Sequence, residues 1–260
     1  MLSDYTQTEF THEGVTKPVY VRGHGPAVIV IHEIPGITPH VTRFADWVVD
    51  AGFRVYMPLL VGEAGPAPTV GYALKSLAKI CISREFHVLA GHRSSPVTNW
   101  LRALARHAHA EAGGKGVGTV GMCFSGNFAL SMMMEPALMA PVLSQPSLPF
   151  PFGAARKAAL HVSPEELTCL KERCSKGDKV LGLRFKGDIT SPGERFETLR
   201  RELGDAFEGI EIDDKYANPK SPEPKPHSVL TEDLIDEDGQ PTKEAAKRVV
   251  AFFVERLKTA

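Results

Sequence analysis

Cysteine is scarce in this 260-residue chain: there are four, with no CxxC pair and no paired spacing. That excludes a disulfide framework and implies free thiols in a reducing compartment. Cys169 and Cys174 lie five apart on an expected helix, where they point to different faces and do not favour a bridge. An excess of either charge is also missing. Thirty Lys+Arg against 31 Asp+Glu leave a formal net charge of −1, so no broad field draws the chain to nucleic acid or to an anionic membrane. The longest apolar stretch, FALSMMMEPALMAPVL, is interrupted by Glu135 and Pro136 and is too short to span a bilayer. The first residues, MLSDYTQTEFTHEG, have neither the basic nor the apolar region of a secretory signal, so a cytoplasmic protein is expected. No Ser/Gly-rich or Pro-rich linker and no repeat divides the sequence, so residues 1–260 are read as a single domain.

What is present is an alternation of two patterns. PVYVR (18–22), AVIVIH (27–32), FRVYMPLL (53–60), VGTVGM (117–122), APVLSQ (140–145), KVLGLRFKG (179–187) and GIEID (209–213) read as strands. From residue 27 onward these are continuous apolar runs, as expected of strands covered on both faces. Between them, Thr38-Pro39, Ser95-Pro96, Ser163-Pro164 and Ser191-Pro192 each place a capping hydroxyl before a proline at a helix start, and Glu166 and Glu194 complete two capping boxes. Val41, Phe44, Ala45, Val48 and Val49 form one apolar stripe; Val97, Trp100, Leu101, Leu104, Ala105 and Ala108 form another. TKEAAKRVVAFFVERLK reads as a closing amphipathic helix, and KYANPKSPEPKP (215–226) as a proline-rich surface loop. The fold class is therefore α/β, with a mostly parallel, doubly wound sheet and helices on both faces. Chemistry is sought at the carboxyl ends of its strands.

Three near-motifs lead nowhere. GVGTVG (116–121) fits GxGxxG but lies within a strand instead of opening a helix. HEIPG lacks the second histidine of a zinc-protease site, and His107 and His109 diverge on their helix. Neither a metal nor a cofactor is expected.

The strand ends are more informative. In VGMCFSGNF, Cys123 stands where a strand gives way to a helix-like run, flanked by the small residues Gly121, Ser125 and Gly126. A nucleophile on a strained turn needs such neighbours, because larger side chains two positions away would collide. The competing reading is a buried structural thiol. Asp188 follows KVLGLRFKG, and His227 lies in the loop beyond GIEID. The order nucleophile, acid, histidine is that of the α/β-hydrolase scheme. Alone, His227 could be a surface-loop histidine and Asp188 a turn residue, with Asp213 and Asp214 as rival acids at another strand end.

HExxG after the first apolar strand, GxCxSG at the turn, GD after a later strand and a histidine in the loop beyond together resemble the dienelactone hydrolase family, from about residue 25 to the C-terminus. The resemblance implies Cys123 as nucleophile, Asp188 and His227 as its partners, and Glu33 as the carboxylate that holds the resting thiol. It implies backbone N–H groups of Phe124 and Ile34 for the oxyanion, and Arg84 as a clamp on a substrate carboxylate. Ser125 departs from the glycine common there and bears on pocket shape. Phe86, Met122 and Phe124 are read either as pocket lining or as core.

A thiolate leaves readily from a tetrahedral intermediate, so an amide adduct collapses backward while an enol-lactone or activated ester goes forward. The expected activity is hydrolysis of lactones or small esters through an acyl-cysteine, by a monomer acting on small molecules. The alternatives are a thiol redox sensor and a ligand-binding protein on a hydrolase fold.

Overall fold

The computed structural model describes residues 1–67, 69–82, 85–86, 92–93 and 95–258. Among them, eight strands form one sheet: β1 (Thr6–His12), β2 (Val15–Arg22), β3 (Ala27–Ile31), β4 (Arg54–Pro58), β5 (Val117–Met122), β6 (Leu138–Ser144), β7 (Val180–Phe185) and β8 (Phe207–Ile212). Their order is β1-β2-β4-β3-β5-β6-β7-β8, antiparallel for β1–β2 and β2–β4 and parallel from there on. The helices are α1 (Pro39–Asp50), α2 (Val70–Ile82), α3 (Val97–Ala112), α4 (Phe128–Met132), α5 (Ala154–Ala158), α6 (Pro164–Ser175), α7 (Gly193–Leu203) and α8 (Pro241–Leu257).

The apolar runs are continuous because both faces of the sheet are covered. Ile29 and Ile31 of β3 pack with Leu101 of α3, Leu170 of α6 and Leu199 of α7; Val28 and Val30 face Phe44 of α1 and Val249 and Phe253 of α8. Neighbouring residues of one strand thus serve opposite cores.

The hairpin at the edge of this sheet is different: PVYVR within β2 reads as a strand, but β1 carries no such run. All but two residues of β1 are exposed, so its sequence alternates without an apolar run, and its turn uses Glu13 and Gly14 at φ 48° and 77°. Trp100 fastens it by donating from Nε1 to Val15 O at 3.0 Å while Phe10 packs edge-on at 5.3 Å.

Two expected caps form and two do not. Thr38 Oγ1 accepts from Val41 N–H at 3.4 Å, and Ser163 exchanges bonds with Glu166 in a capping box. The Ser95 hydroxyl is instead taken by Phe86 O and by His161 Nε2 at 2.8 Å. Ser191 makes no capping box with Glu194 either; its N–H donates to Asp188 at 3.1 Å, and α7 begins two residues later. At Ser95 the cap-like dipeptide is recruited by a tertiary contact, and at Ser191 by the turn at Asp188.

Ser163→Ala is expected to cost about 1 kcal/mol, the usual value of a cap. It should read out as a lower urea midpoint at unchanged slope.

Candidate active site

β5 is central and fully buried, so whatever follows Met122 is delivered to the carboxyl edge of the sheet. There Cys123 adopts φ 55°, a left-handed conformation that costs a side-chain-bearing residue about 1–3 kcal/mol. Its neighbours are shaped for it. A Cβ on Gly121 would stand 2.2 Å from Ser125 O, and one on Gly126 would stand 2.5 Å from Pro146 Cα. Ser125 adds bonds that glycine could not: its Oγ accepts from Met122 N–H at 2.9 Å and lies 3.2 and 3.1 Å from the carbonyls of Ile31 and His32. The turn is thereby tied to the end of β3.

His227 stands across from the thiol, and both line a cleft of about 500 Å³. Its Nδ1 lies 2.7 Å from Asp188 Oδ2, which leaves Nε2 as the nitrogen available to Cys123. Asp188 Oδ1 accepts from Thr190 N–H and Oγ1, both at 2.8 Å, and from Ser191 N–H. Burial pushes the Asp188 pKa up, but His227 and Thr190 outweigh it and hold the carboxyl below its ordinary value. The rival acid Asp214 has another task, accepting from Gly187 N–H at 2.8 Å in the turn that presents Asp188.

The structure therefore brings Cys123, Asp188 and His227 together. Glu33 is near but differently engaged: its carboxylate accepts from Gln145 Nε2 and Ser228 Oγ, each at 2.9 Å, and from Thr231 Oγ1. The hydrogen bonds found for it go to these three groups rather than to the thiol. Burial raises the Glu33 pKa, and the Thr231 hydroxyl, His227 and the Ser228 hydroxyl pull it back. Ile34 lines the cleft and Phe124 follows Cys123. Arg84 lies outside the described residues. Phe86, Met122 and Phe124 belong to the core, with Phe86 and Phe124 packed edge to face at 5.6 Å; the apolar walls come from Ile34, Leu77, Phe150, Ile189 and Pro226.

Four supporting residues escaped the sequence reading. Asp233, six residues past His227, accepts from the N–H groups of His227 and Ser228 at 2.7 and 2.8 Å and so fixes the histidine's backbone. Gln145 closes the end of β6 on Glu33. His32 donates from Nδ1 to Glu33 O at 2.7 Å and accepts from Leu60 N–H at Nε2; burial lowers its pKa to about 4, so it is neutral and pins the loop carrying Ile34. Arg195, wholly buried, donates to the carbonyls of Ala159, Pro146, Pro149 and Arg156 and so secures the segment that brings Ser147 and Phe150 to the cleft. Only Asp233 had a local signal, as an acidic turn residue beside the histidine.

An eight-stranded, mostly parallel sheet with this turn at the end of a central strand defines the α/β-hydrolase fold. The sequence profile of the dienelactone hydrolase family matches residues 14–150, more than half of the chain, which belongs to that family and is thus a hydrolase acting on esters or lactones. Three solved structures share the fold. A dienelactone hydrolase from Anabaena variabilis ATCC 29413 gives a TM-score of 0.62 at 14% identity, over 98% of this chain and 100% of that one. A dienelactone hydrolase-like promiscuous phosphotriesterase from metagenomic libraries gives 0.64 at 15% identity, over 97% and 98%. A cold-adapted esterase from an Arctic intertidal metagenomic library gives 0.56 at 14% identity, over 98% and 94%. No curated protein matches the chain in sequence.

Burial disfavours a proton on His227, but the Cys123 sulfur and the Asp188 carboxylate outweigh it and hold the imidazole pKa well above its ordinary 6.5. The stabilisation this adds is complete below about pH 6.5 and is lost as pH rises through the raised value. Denaturant unfolding of the native protein and His227→Asn at successive pH values is expected to give stabilities that converge on the alkaline side. A difference that widens with pH contradicts the assignment.

Proposed function

We propose that the chain hydrolyses lactones or small esters with Cys123 as nucleophile, through an acyl-cysteine. The observation that carries this reading is Cys123 at φ 55° on the end of β5, sharing one cleft with a histidine already bonded to Asp188.

Each step draws on a group in that cleft. Cys123 Sγ attacks the carbonyl carbon while its proton passes to His227 Nε2. Asp188 holds the other ring nitrogen, fixing the tautomer and stabilising the imidazolium. The oxyanion is met by the N–H groups of Phe124 and Ile34. The carbon–oxygen bond then breaks, the leaving oxygen takes the proton from His227, and a lactone opens with its new hydroxyl still attached to the acyl group. Water, giving a proton to His227, attacks the thioester; the carbon–sulfur bond breaks and the thiolate regains the proton.

The cleft fits a small acyl group with apolar surface, since Ile34, Leu77, Phe150, Ile189 and Pro226 form much of its wall. Glu33 takes a place in this scheme through its partners: it braces Ser228, next to the base, and Gln145. Arg84 as a carboxylate clamp rests on the family resemblance alone. A monomeric, cytoplasmic enzyme without cofactor completes the proposal.

Brief incubation with a panel of lactones and activated esters, acid quench and peptide mass spectrometry provide the test. The native protein is expected to turn over and to carry the acyl group transiently on Cys123. Cys123→Ser should lose the adduct and at least about 100-fold of turnover, and His227→Asn should accumulate the adduct or fail to form it. Full turnover by Cys123→Ala overturns the assignment, and neither adduct nor turnover with any ester points to a thiol sensor or binding protein.

A further inference from the structure

Ser228 has one hydroxyl proton, yet its Oγ lies 2.9 Å from Glu33 Oε2 and 2.8 Å from Glu223 Oε1. Ionised carboxylates only accept, so one hydroxyl proton cannot serve two of them. The contact is complete only if one carboxyl keeps its proton. Glu33 is the poorer place for it, because Oε2 already faces the Gln145 amide donor and Oε1 the Thr231 hydroxyl. Glu223 sits at the outer end of the chain, where it also lines the cleft beside Pro224, Lys225 and Pro226.

We propose that Glu223 is a positioning residue: as a neutral carboxylic acid it donates to Ser228, which donates to Glu33, and this relay ties the 223–226 loop down as the cleft wall next to His227. No net proton moves and no bond other than hydrogen bonds is involved. The role rests on the reading of this cleft as the substrate site.

The surroundings agree. Burial pushes the Glu223 pKa up to about 8; His227 opposes this, the charges of Glu33 and Asp233 add to it, and the Ser228 hydroxyl opposes it. Asp188 and Lys225 are the other charged groups lining the cleft with it. Glu232, raised to about 7 by burial and by Glu33 and Asp233 against Arg43, belongs to the same acidic cluster. The sign follows directly. Below its raised pKa Glu223 is neutral and the relay is intact. Above it, a carboxylate faces Glu33 and Asp233 with no proton to share, and the loop loses its tie. The cleft wall then loosens with rising pH, which weakens substrate binding more than the chemical step.

The test separates this claim from the proposed activity by using two readouts. The first is a carboxyl carbon-13 NMR titration of the native protein and Glu223→Gln. A glutamate resonance titrating near pH 8 and missing from the variant is expected; a Glu223 resonance that titrates near 4.5 overturns the proposal even if no substrate is ever found. The second is KM and kcat for p-nitrophenyl acetate between about pH 6.5 and 9.5. Native KM should rise at least about fivefold above pH 8 with a smaller change in kcat. Glu223→Gln, whose amide can still donate to Ser228, should hold KM within about twofold across the range, whereas Glu223→Ala should show the high KM throughout. Native pH behaviour retained in both variants overturns the relay.

Discussion

The turn at Cys123 is the constraint on which the rest depends. A left-handed residue at the end of a buried central strand is unfavourable in isolation, and it persists because its surroundings over-determine it. Gly121 and Gly126 vacate the space the chain needs, Ser125 ties the turn to β3, and the N–H groups of Gly126 and Ser147 both donate to Cys123 O, at 3.0 and 2.9 Å. With β5 lying between β3 and β6, the same edge that presents the thiol also presents Ile34 and Glu33 on one side and Gln145 on the other. The geometry of the cleft is thus a property of the sheet before it is a property of any loop.

Four carboxyl groups near this edge show how one functional group is given different states. Asp188 collects donors from Thr190, Ser191 and His227 and stays ionised despite burial. Glu33 collects three donors but lies deeper, and its pKa rises. Glu223 and Glu232 are raised too, to about 8 and about 7, by burial and by the carboxylates around them. The balance of donor supply against burial decides which acid holds its charge: donors win at Asp188 and burial wins at Glu33.

The sequence made the parallel half of the fold legible because apolar runs report two-sided burial whatever the tertiary detail. The edge strand β1 was hidden for the converse reason: it buries almost nothing, and Glu13-Gly14 is not a pair that announces a tight turn. Cys123, Asp188 and His227, which the structure places around one cleft, could be picked out as candidates from strand ends and chain order. Their braces could not, because Gln145, Ser228 and Thr231 reach Glu33 across 112, 195 and 198 positions of sequence, a separation no local pattern encodes. Ser95 marks the same limit from the other side, as a residue whose local chemistry said cap while a distant partner claimed it.

Arg195 carries a consequence for how this scaffold can change. Its guanidinium gathers four main-chain carbonyls spread over residues 146–159, and carbonyls are indifferent to the side chains they belong to. The anchorage of that segment is therefore written in one residue on α7 rather than in the segment itself. The half-buried Phe150 and the exposed Phe152 can vary there, while Ser147, whose N–H holds Cys123 O, and the fully buried Leu148 keep the turn and the core as they are. Substrate range can drift there without renegotiating the fold.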